Sequence, residues 1–366
     1  MKIAFDAYEL GREARGVARV IDNILVPLFD FLPEDELLIY TKENIGKYSR
    51  PHVSEQVLPS LGGYLRWQNG PLRKALKKEK PDVFVGSNYV LPLFHPWRSL
   101  LIEHDISVVS HPEWYSPKYA WTRRFLIKRS LNKAAVVIVP SEFSKREVLT
   151  CFDLNPEKLK VLGWGIEAKF RRSPEERILA WKEKKGLKGK RIVGYLGALV
   201  IRRHIPLLVH AVSLLRDTFP GTMLYIVGKD LTGLKPGEMA KALNQEWIRW
   251  EETLPEEDLP LFYSGLDVFA YLSEYEGFGF PPLEALACGT PVVLMRGSSL
   301  EEIFGDVAVM VSDTDERKVM EALQAVLSDE QVRLRLLNKF EQKRSQFSWN
   351  RAARELAFLL RALKST

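Results

Sequence analysis

The sequence predicts an α/β protein of two domains, each built around a parallel β-sheet. At 366 residues the chain is longer than one hydrophobic core usually fills. Short apolar segments alternate with longer amphipathic ones, beginning with a strand at residues 2–7 and a helix at residues 19–31, and this alternation is typical of parallel sheets. In such sheets ligands bind beyond the carboxyl ends of the strands, so the loops that follow the strands are candidate sites.

Composition narrows the class of protein. The chain has 46% hydrophobic and 27% charged residues, which are ordinary values for a globular protein. Its two cysteines, Cys151 and Cys288, predict no disulfide framework and fit a reducing compartment. The first apolar run is too short for a signal peptide, and no run reaches the roughly 20 residues of a membrane span. We therefore expect a cytoplasmic protein, and its net charge of +6 favours an anionic partner.

The most informative stretch of the chain is residues 272–293. It begins at the end of an apolar strand, is interrupted by Gly277 and Gly279, and continues into a predicted helix that opens with Pro281 and Pro282. Glycines allow a ligand to approach the backbone closely, and the N-terminus of a helix attracts anions. These features predict an anion site at the start of the helix.

Two carboxylates, Glu276 and Glu284, flank that predicted anion site. A carboxylate that accepts hydrogen bonds from neighbouring hydroxyls is a common way of binding a sugar or a ribose. An anion site beside two such carboxylates indicates a nucleotide sugar. For a bare Glu-x7-Glu, a strand–turn–helix with two solvated glutamates is the alternative interpretation.

Residues 276–293, Glu-Gly-Phe-Gly-Phe-Pro-Pro-Leu-Glu-Ala-Leu-Ala-Cys-Gly-Thr-Pro-Val-Val, resemble the donor-site signature of retaining glycosyltransferases of family four, which have the GT-B fold. The resemblance implies two Rossmann-like domains that face each other across a cleft. The first would bind the acceptor and the second the nucleotide sugar, and a C-terminal helix would cross back to the first domain. We place the domains at residues 1–170 and 171–346, and the helix at residues 347–366.

The resemblance also implies roles for individual residues. Glu276 would hold hydroxyls of the transferred sugar, Glu284 would hold the ribose, and amides of the intervening loop would face the diphosphate. The implied donor-binding residues of this stretch are Gly277, Phe278, Gly279, Phe280, Leu283 and Glu284.

Loops of the first half supply further candidates. His104 follows a predicted strand and, with Asp105, resembles the family's His-Asp pair, whose histidine lies beside the transferred sugar. Without that context a lone histidine is more often structural. Gly16 resembles a reduced form of the family's glycine-rich loop near donor and acceptor. The residues expected on the acceptor side are Arg15, Asn88 and Tyr89.

Two arginines, Arg202 and Arg203, follow a predicted strand of the second half. Arginine can hold phosphate oxygens through two parallel hydrogen bonds. Residues 197–204 resemble the family's Gly-Thr-Ile-Glu-Pro-Arg-Lys-Asn, found in a subgroup rich in GDP-mannose-dependent mannosyltransferases. Here Arg203 replaces the diphosphate-binding lysine and His204 replaces asparagine, so we expect both arginines to bind the diphosphate. The implied catalytic residues are His104, Glu276 and Arg203.

Basic and aromatic residues are interleaved at residues 64–78 and 117–133. Such clusters fit nucleic acid or a membrane surface, and a core helix with a solvated basic face is the plain alternative. No recognition motif accompanies the charge, so we expect no nucleic-acid partner. Because many family members use lipid-linked acceptors, the resemblance favours an anionic membrane surface, with the protein peripheral on the inner face of the cell membrane.

Together these features predict a retaining transfer of mannose from GDP-mannose to a glycan or lipid-linked acceptor in glycan or polysaccharide assembly. No metal and no cofactor are expected, because arginines would compensate the diphosphate charge. The alternatives are a UDP-sugar or other sugar nucleotide as donor, an epimerase of the same fold, and a non-catalytic binding or scaffold protein. A Gly-x-Gly-x-x-Ala spacing at residues 163–168 is not followed by a helical pattern, so we interpret it as a linker and not as a dinucleotide site.

Overall fold

The computed structural model confirms an α/β protein whose sheets are parallel throughout. It describes residues 1–11, 16–48, 50–232 and 243–365.

The chain divides into two compact units, one comprising residues 1–165 and 347–366 and the other residues 166–346. The first unit ends before the predicted boundary at residue 170. Phe170 lies against Tyr263 of the second unit, with 6.1 Å between the ring centroids, and its carbonyl accepts a hydrogen bond from Arg344 at 3.0 Å. These contacts tie the residues after Gly165 to the second unit.

A parallel sheet of seven strands forms the centre of the described part of the first unit. The strands are β1 (Lys2–Asp6), β2 (Glu36–Thr41), β3 (Val53–Val57), β4 (Val83–Gly86), β5 (Arg98–Ile102), β6 (Val136–Val139) and β7 (Leu159–Val161). They lie in the order β3-β2-β1-β4-β5-β6-β7, so the order reverses between β1 and β4. Ligands of open α/β sheets bind at such a reversal, beyond the strand ends.

Burial explains which of these strands the sequence could predict. β1, β2, β4 and β5 are almost wholly buried, and strands covered on both faces read as apolar runs. β3 was not predicted, because Ser54, Glu55 and Gln56 make it largely polar. It lies at the edge of the sheet, where polar strands are common.

Helices connect the strands of the first unit. They are α1 (Gly16–Phe31), α2 (Tyr64–Trp67), α3 (Arg73–Glu79), α4 (Ser107–Ser110), α5 (Pro117–Lys133) and α6 (Glu142–Cys151). A π-helical turn at Gln68–Leu72 joins α2 to α3. Trp67, the last residue of α2, is fully buried, and its ring nitrogen donates to the Leu58 carbonyl at 2.7 Å.

The C-terminal helix, Trp349–Ser365, packs against α1 within the first unit. Ser348 caps it, accepting from the Arg351 amide at 3.3 Å. At Gly165 a Cβ atom would lie 2.3 Å from the Trp349 backbone nitrogen, so only glycine allows this close approach. The glycines of residues 163–168 therefore serve packing against this helix.

A six-stranded parallel sheet forms the centre of the described part of the second unit. Its strands are β8 (Arg191–Leu196), β9 (Thr222–Val227), β10 (Ile248–Glu251), β11 (Val268–Tyr271), β12 (Val292–Met295) and β13 (Val309–Val311). They lie in the order β10-β9-β8-β11-β12-β13, so this sheet reverses between β8 and β11.

The helices of the second unit cover this sheet, and α8 packs against α12. Among the described residues of this unit they are α7 (Glu175–Lys184), α8 (Ile205–Thr218), α9 (Leu259–Gly265), α10 (Phe280–Ala287), α11 (Ser299–Phe304), α12 (Glu316–Ser328) and α13 (Glu330–Lys343).

Candidate active site

The loop between β11 and α10 lies at the reversal point of the second sheet. It ends at Gly279, whose φ of 103° and ψ of 61° place it in a region that side chains disfavour. A Cβ atom at this position would also lie 2.6 Å from the Leu300 side chain. Glycine is therefore required at the point where the loop enters the helix.

The helix that follows offers fewer amides to an anion than its sequence suggested. α10 begins at Phe280, so Pro281 and Pro282 occupy its next two positions and contribute no N–H. The Leu283 amide donates back to the Gly279 carbonyl at 3.3 Å, and the Leu283 side chain is buried. Donors to an anion must come from the loop itself and from the first helical residue.

The other predicted donor residues lie around this turn. Gly277, Phe278 and Gly279 are buried, and the Phe278 ring lies 5.2 Å from the half-buried Phe280 ring. These residues of the signature thus lie together where the loop enters the helix.

Glu276 is held at the centre of this loop by protein donors that meet on one oxygen. Arg203 Nε and Nη2 lie 3.0 and 2.9 Å from its Oε1, and the hydroxyls of Tyr271 and Ser273 each lie 2.9 Å from the same atom. All four of these contacts end on Oε1 and none on Oε2. The Glu276 side chain is 15% exposed, and the described donors fix one carboxylate oxygen and leave the other without a described side-chain donor.

Arg203 ends a short turn after β8 and reaches the Glu276 loop because β8 and β11 are neighbours in the sheet. Its Nη1 donates to the Ala198 carbonyl at 3.0 Å, and its guanidinium lies 5.2 Å from the centroid of the Tyr271 ring. The structure therefore places the predicted phosphate ligand against the predicted sugar ligand.

The pairing fixes the charge state of both groups. Burial acts to raise the pKa of Glu276, but Arg203, Arg202 and the two hydroxyl donors outweigh it, and the pKa is lowered. Burial acts to lower the pKa of Arg203, but Glu276 outweighs it, and that pKa is raised. The site holds an ionised carboxylate next to a guanidinium cation.

The turn that carries the arginines is joined to the Glu276 loop at two further points. The Glu274 amide donates to the Arg202 carbonyl at 3.0 Å, and His204 Nε2 contacts the Glu274 carboxylate. His204 has a φ of 48°, a left-handed conformation that asparagine adopts more readily than most residues. The two strand-end loops therefore form one connected structure.

Glu284, the predicted ribose ligand, is 1% exposed on α10. The Tyr263 hydroxyl of α9 donates to its Oε2 at 2.7 Å, which links the two helices. The ribose contact stays a prediction, and the described contact is one between helices.

In the first unit, His104 follows β5, as predicted, and lies near the reversal of the first sheet. Its Nε2 is 2.9 Å from the Ser87 carbonyl, so Nε2 carries the hydrogen and Nδ1 is an acceptor. Burial lowers the pKa of His104, which keeps the ring neutral near pH 7. Tyr89 lies edge-on to the imidazole at 5.3 Å, and Trp164 lies at 6.2 Å.

The predicted acceptor-side residues that the structure describes have different surroundings. Tyr89 has a φ of 62°, an uncommon conformation for a bulky residue, and Arg123 lies 5.5 Å from its ring centroid. Asn88 donates to Glu9 at 3.0 Å. Arg15 lies outside the described residues. Gly16 is the first residue of α1, with open space where a Cβ would stand.

Two buried carboxyls of this region were not predicted. Asp6, at the end of β1, accepts from the Tyr64 hydroxyl at 2.6 Å and from the Tyr8 amide at 3.1 Å, and burial raises its pKa to about 6. Glu103 is 1% exposed, neither of its carboxyl oxygens has a hydrogen-bond partner in the described structure, and burial raises its pKa. Both residues follow apolar strand sequences, and that position is the only signal that could have identified them.

The prediction of a basic and aromatic surface at residues 64–78 needs correction. Trp67 is fully buried, and Tyr64 bonds to Asp6, so the aromatic residues of this cluster belong to the core. The lysines of α3 remain exposed. Exposed aromatic residues occur instead in the second cluster, on α5, where the ring centroids of Trp121 and Phe125 lie 6.5 Å apart.

Neither a metal cluster nor a membrane-spanning helix is found in the described ranges. There, no group of three or more His, Cys, Asp or Glu side chains is arranged to hold a metal ion. An Asp-x-Asp spacing does occur at residues 313–315, where Asp315 caps α12 and Asp313 contacts Lys318. No helix of the described ranges is long and apolar enough to cross a membrane.

Two family models match the chain. One, described as Glycosyltransferase Family 4, matches residues 26–170, and the other, described as Glycosyl transferases group 1, matches residues 178–344. The chain belongs to glycosyltransferase family 4. The predicted family and enzyme class are thereby confirmed.

Similar proteins include mannosyltransferases. The O-antigen chain mannosyltransferase B of Escherichia coli is 29% identical over 283 residues, which are 75% of this glycosyltransferase and 73% of the relative. The serotype-specific mannosyltransferase WbdA of Escherichia coli is 25% identical over 269 residues, 70% of this chain but 32% of WbdA. Among solved structures, HepE of Anabaena in complex with UDP-glucose has a TM-score of 0.79 at 18% identity, covering 99% of this chain and 100% of HepE. That likeness confirms the predicted GT-B class of fold.

Proposed function

We propose that this glycosyltransferase moves a mannosyl unit from GDP-mannose to a glycan or lipid-linked acceptor, with retention of configuration and without a metal ion. The observation that carries the proposal is the ionised Glu276 carboxylate at the reversal point of the second sheet, which is fixed through Oε1 and has no donor at Oε2 among the described residues. The mannosyl donor is supported by two similar proteins that are mannosyltransferases and that match 75% and 70% of this chain.

On the donor side, hydroxyls of the sugar would donate to Glu276 Oε2. Negative charge grows on the diphosphate as the sugar leaves, and preorganised donors stabilise such charge best where water is excluded. Arg202, on the turn after β8, and the amides of Phe278 and Gly279, on the Glu276 loop, would serve as those donors. The departing phosphate oxygen would help to take the proton of the acceptor hydroxyl.

On the first unit, His104 would contact the transferred sugar. Its Nε2–H is committed to the Ser87 carbonyl, so the neutral ring can accept one hydrogen bond at Nδ1. A sugar hydroxyl is a suitable donor to that atom. The ring would therefore orient the sugar and would not act as an acid.

Nucleotide release from GDP-, UDP-, ADP- and dTDP-sugars tests the proposal, measured with purified protein in the presence and absence of a lipid extract. We expect release from GDP-mannose, increased by the extract. Release from a UDP-sugar alone would contradict the mannosyl donor. The absence of both release and nucleotide binding across the panel would contradict the transfer itself and favour a scaffold role.

We further propose that α5 carries this enzyme to an anionic membrane surface. Trp121 and Phe125 are 73% and 57% exposed, and the basic side chains Lys118, Arg124 and Lys128 are exposed on the same helix. The opposite side of α5 is buried through Leu126, Ile127 and Leu131. Aromatic side chains that insert at the headgroup level beside basic charge are typical of peripheral membrane helices.

Co-sedimentation with phosphatidylglycerol and phosphatidylcholine vesicles tests this surface. We expect binding to the anionic vesicles at low salt, weakened by high salt and by Trp121→Ser combined with Phe125→Ser. Phe358→Ser, which changes a 72% exposed aromatic residue of the C-terminal helix, is the matched control and should leave binding unchanged. No binding at low salt, or equal loss in the control, would contradict the proposal.

A further inference from the structure

The contacts of Arg203 raise a question about its role. Two of its nitrogens already donate hydrogen bonds within the protein, Nε to Glu276 and Nη1 to the Ala198 carbonyl, and Nη2 lies 2.9 Å from the same Glu276 oxygen. Its side chain is 13% exposed, and its guanidinium lies over the ring of Tyr271. A guanidinium presented to a diphosphate in a bidentate manner would have two adjacent N–H groups directed outward. Here the edge formed by Nε and Nη2 is directed at a carboxylate instead.

A tyrosine pair completes the surroundings of this arginine. Tyr195, on β8, stacks on Tyr271, on β11, with 5.7 Å between ring centroids and 17° between ring planes. The Tyr195 hydroxyl donates to the same Ala198 carbonyl that Arg203 uses, at 3.0 Å. Two strands and two loops are thus joined through one arginine, and every described donor to the Glu276 carboxylate ends on Oε1.

We propose that Arg203, Tyr271 and Ser273 are positioning residues that fix Glu276 with Oε2 directed to the donor sugar, and that Arg203 acts on transfer through Glu276 and not through the diphosphate. The inference rests on the proposed function, because it assumes that Glu276 contacts the sugar. It differs from the role that the family resemblance implies for position 203, which is binding of the diphosphate.

Arginine at position 203 is suited to this role in a way that lysine is not. A planar guanidinium can donate to a carboxylate and to a carbonyl while stacking on an aromatic ring, whereas an ammonium group offers neither the plane nor the stacking. Arg203→Lys keeps the charge and removes this geometry. Tyr271→Phe and Ser273→Ala each remove one hydrogen bond to Oε1 and leave Arg203 in place.

Binding of two ligands separates the two roles of Arg203. The nucleoside diphosphate has the diphosphate and no sugar, and the nucleotide sugar has both. If Arg203 positions Glu276, Arg203→Lys should leave the Kd of the nucleoside diphosphate within about threefold of wild type and lower kcat/KM for the nucleotide sugar about 10²-fold. Tyr271→Phe and Ser273→Ala should show the same pattern at about 3–10-fold.

Controls make each outcome decisive. Arg296→Lys changes an exposed arginine that pairs with Glu301 in the same unit, and it should leave both quantities unchanged. If Arg203→Lys does not fold, Tyr271→Phe and Ser273→Ala still test the network, since Tyr271→Phe keeps the ring. Equal weakening of both ligands by Arg203→Lys, or unchanged kcat/KM in all three variants, would overturn this inference alone. A wild-type protein that binds no nucleotide sugar would instead overturn the proposed function.

Discussion

Both sheets reverse their strand order once, between β1 and β4 in the first unit and between β8 and β11 in the second. In each unit a largely buried carboxyl lies beside that reversal, Asp6 as the last residue of β1 and Glu276 in the loop after β11. In the second unit Glu276 meets the Arg203 guanidinium, and its pKa is lowered. In the first unit Asp6 meets the Tyr64 hydroxyl, and burial raises its pKa to about 6. Glu103, after β5, has a raised pKa as well.

The difference shows that the partner, and not the position in the fold, decides the charge of a buried carboxyl. A guanidinium at hydrogen-bond distance outweighs the cost of burial, whereas a phenol does not. The second region therefore presents a fixed anion that suits sugar hydroxyls. The first region has carboxyls with raised pKa values around a neutral imidazole.

Removing the charge of Glu276 should have the largest effect on activity. Glu276→Gln keeps the size of the side chain, but it weakens the contact with Arg203 and the acceptor strength toward sugar hydroxyls. We expect the initial rate of nucleotide release to fall about 10²-fold or more. Glu183→Gln, at a 66% exposed position of α7 in the same unit, is the control and should change the rate by less than about threefold. Equal rates for both variants would remove the contrast between the regions.

The raised pKa of Asp6 predicts a dependence of stability on pH. Its pKa is about 6 in the folded protein against an ordinary 3.8, so the folded state binds the proton more tightly. This contribution is complete below the unfolded pKa and is lost as the pH rises through about 6. The free energy of unfolding should therefore fall by about 3 kcal/mol across that window through this group.

Asp6→Asn isolates that dependence, because asparagine does not titrate. Urea unfolding of both proteins between pH 4 and pH 7 should give a flatter profile for the variant. Parallel profiles would mean that Asp6 is ionised throughout, as Glu276 is, and the two regions would no longer differ.

Gly279→Ala tests the shape of the second region without touching a charge. The positive φ of Gly279 and the contact that a Cβ would make with Leu300 predict a loss of about 2 kcal/mol in the free energy of unfolding. Gly221→Ala is the matched control, because no atom lies within 4 Å of its Cβ position. Equal stability of the two variants would show that the loop relaxes freely.

His104→Ala should reduce activity less than Glu276→Gln does. It removes one neutral hydrogen-bonding group, and we expect kcat/KM to fall about 10-fold. His210→Ala, at an exposed position of α8, serves as the control. A loss as large as that of Glu276→Gln would indicate that the imidazole does more than orient the sugar.

The sequence was most informative where the contacts are local. The donor stretch at residues 272–293 contains its own strand end, glycines and helix, so its outline was predictable from composition and spacing. The first residue of α10 was harder to predict. The sequence indicated a helix that opens with Pro281 and Pro282, whereas in the structure Phe280 begins the helix and the two prolines follow it.

Contacts between distant segments were not predictable in the same way. Arg203 and Glu276 are 73 residues apart, and Asp6 and Tyr64 are 58 apart. Each pair meets only because of the sheet order and the helices above it. Tyr271 read as an ordinary strand residue for the same reason, since its hydroxyl gains a role only when β11 lies beside β8.

The most direct test of the account is the Kd of the nucleotide sugar and of its nucleoside diphosphate, measured by calorimetry for wild type and Glu276→Gln. If the fixed carboxylate binds the sugar, the variant should bind the nucleoside diphosphate as wild type does and lose the additional affinity of the nucleotide sugar. An unchanged Kd for the nucleotide sugar, or equal weakening of both ligands, would contradict the assignment of Glu276 to the donor sugar.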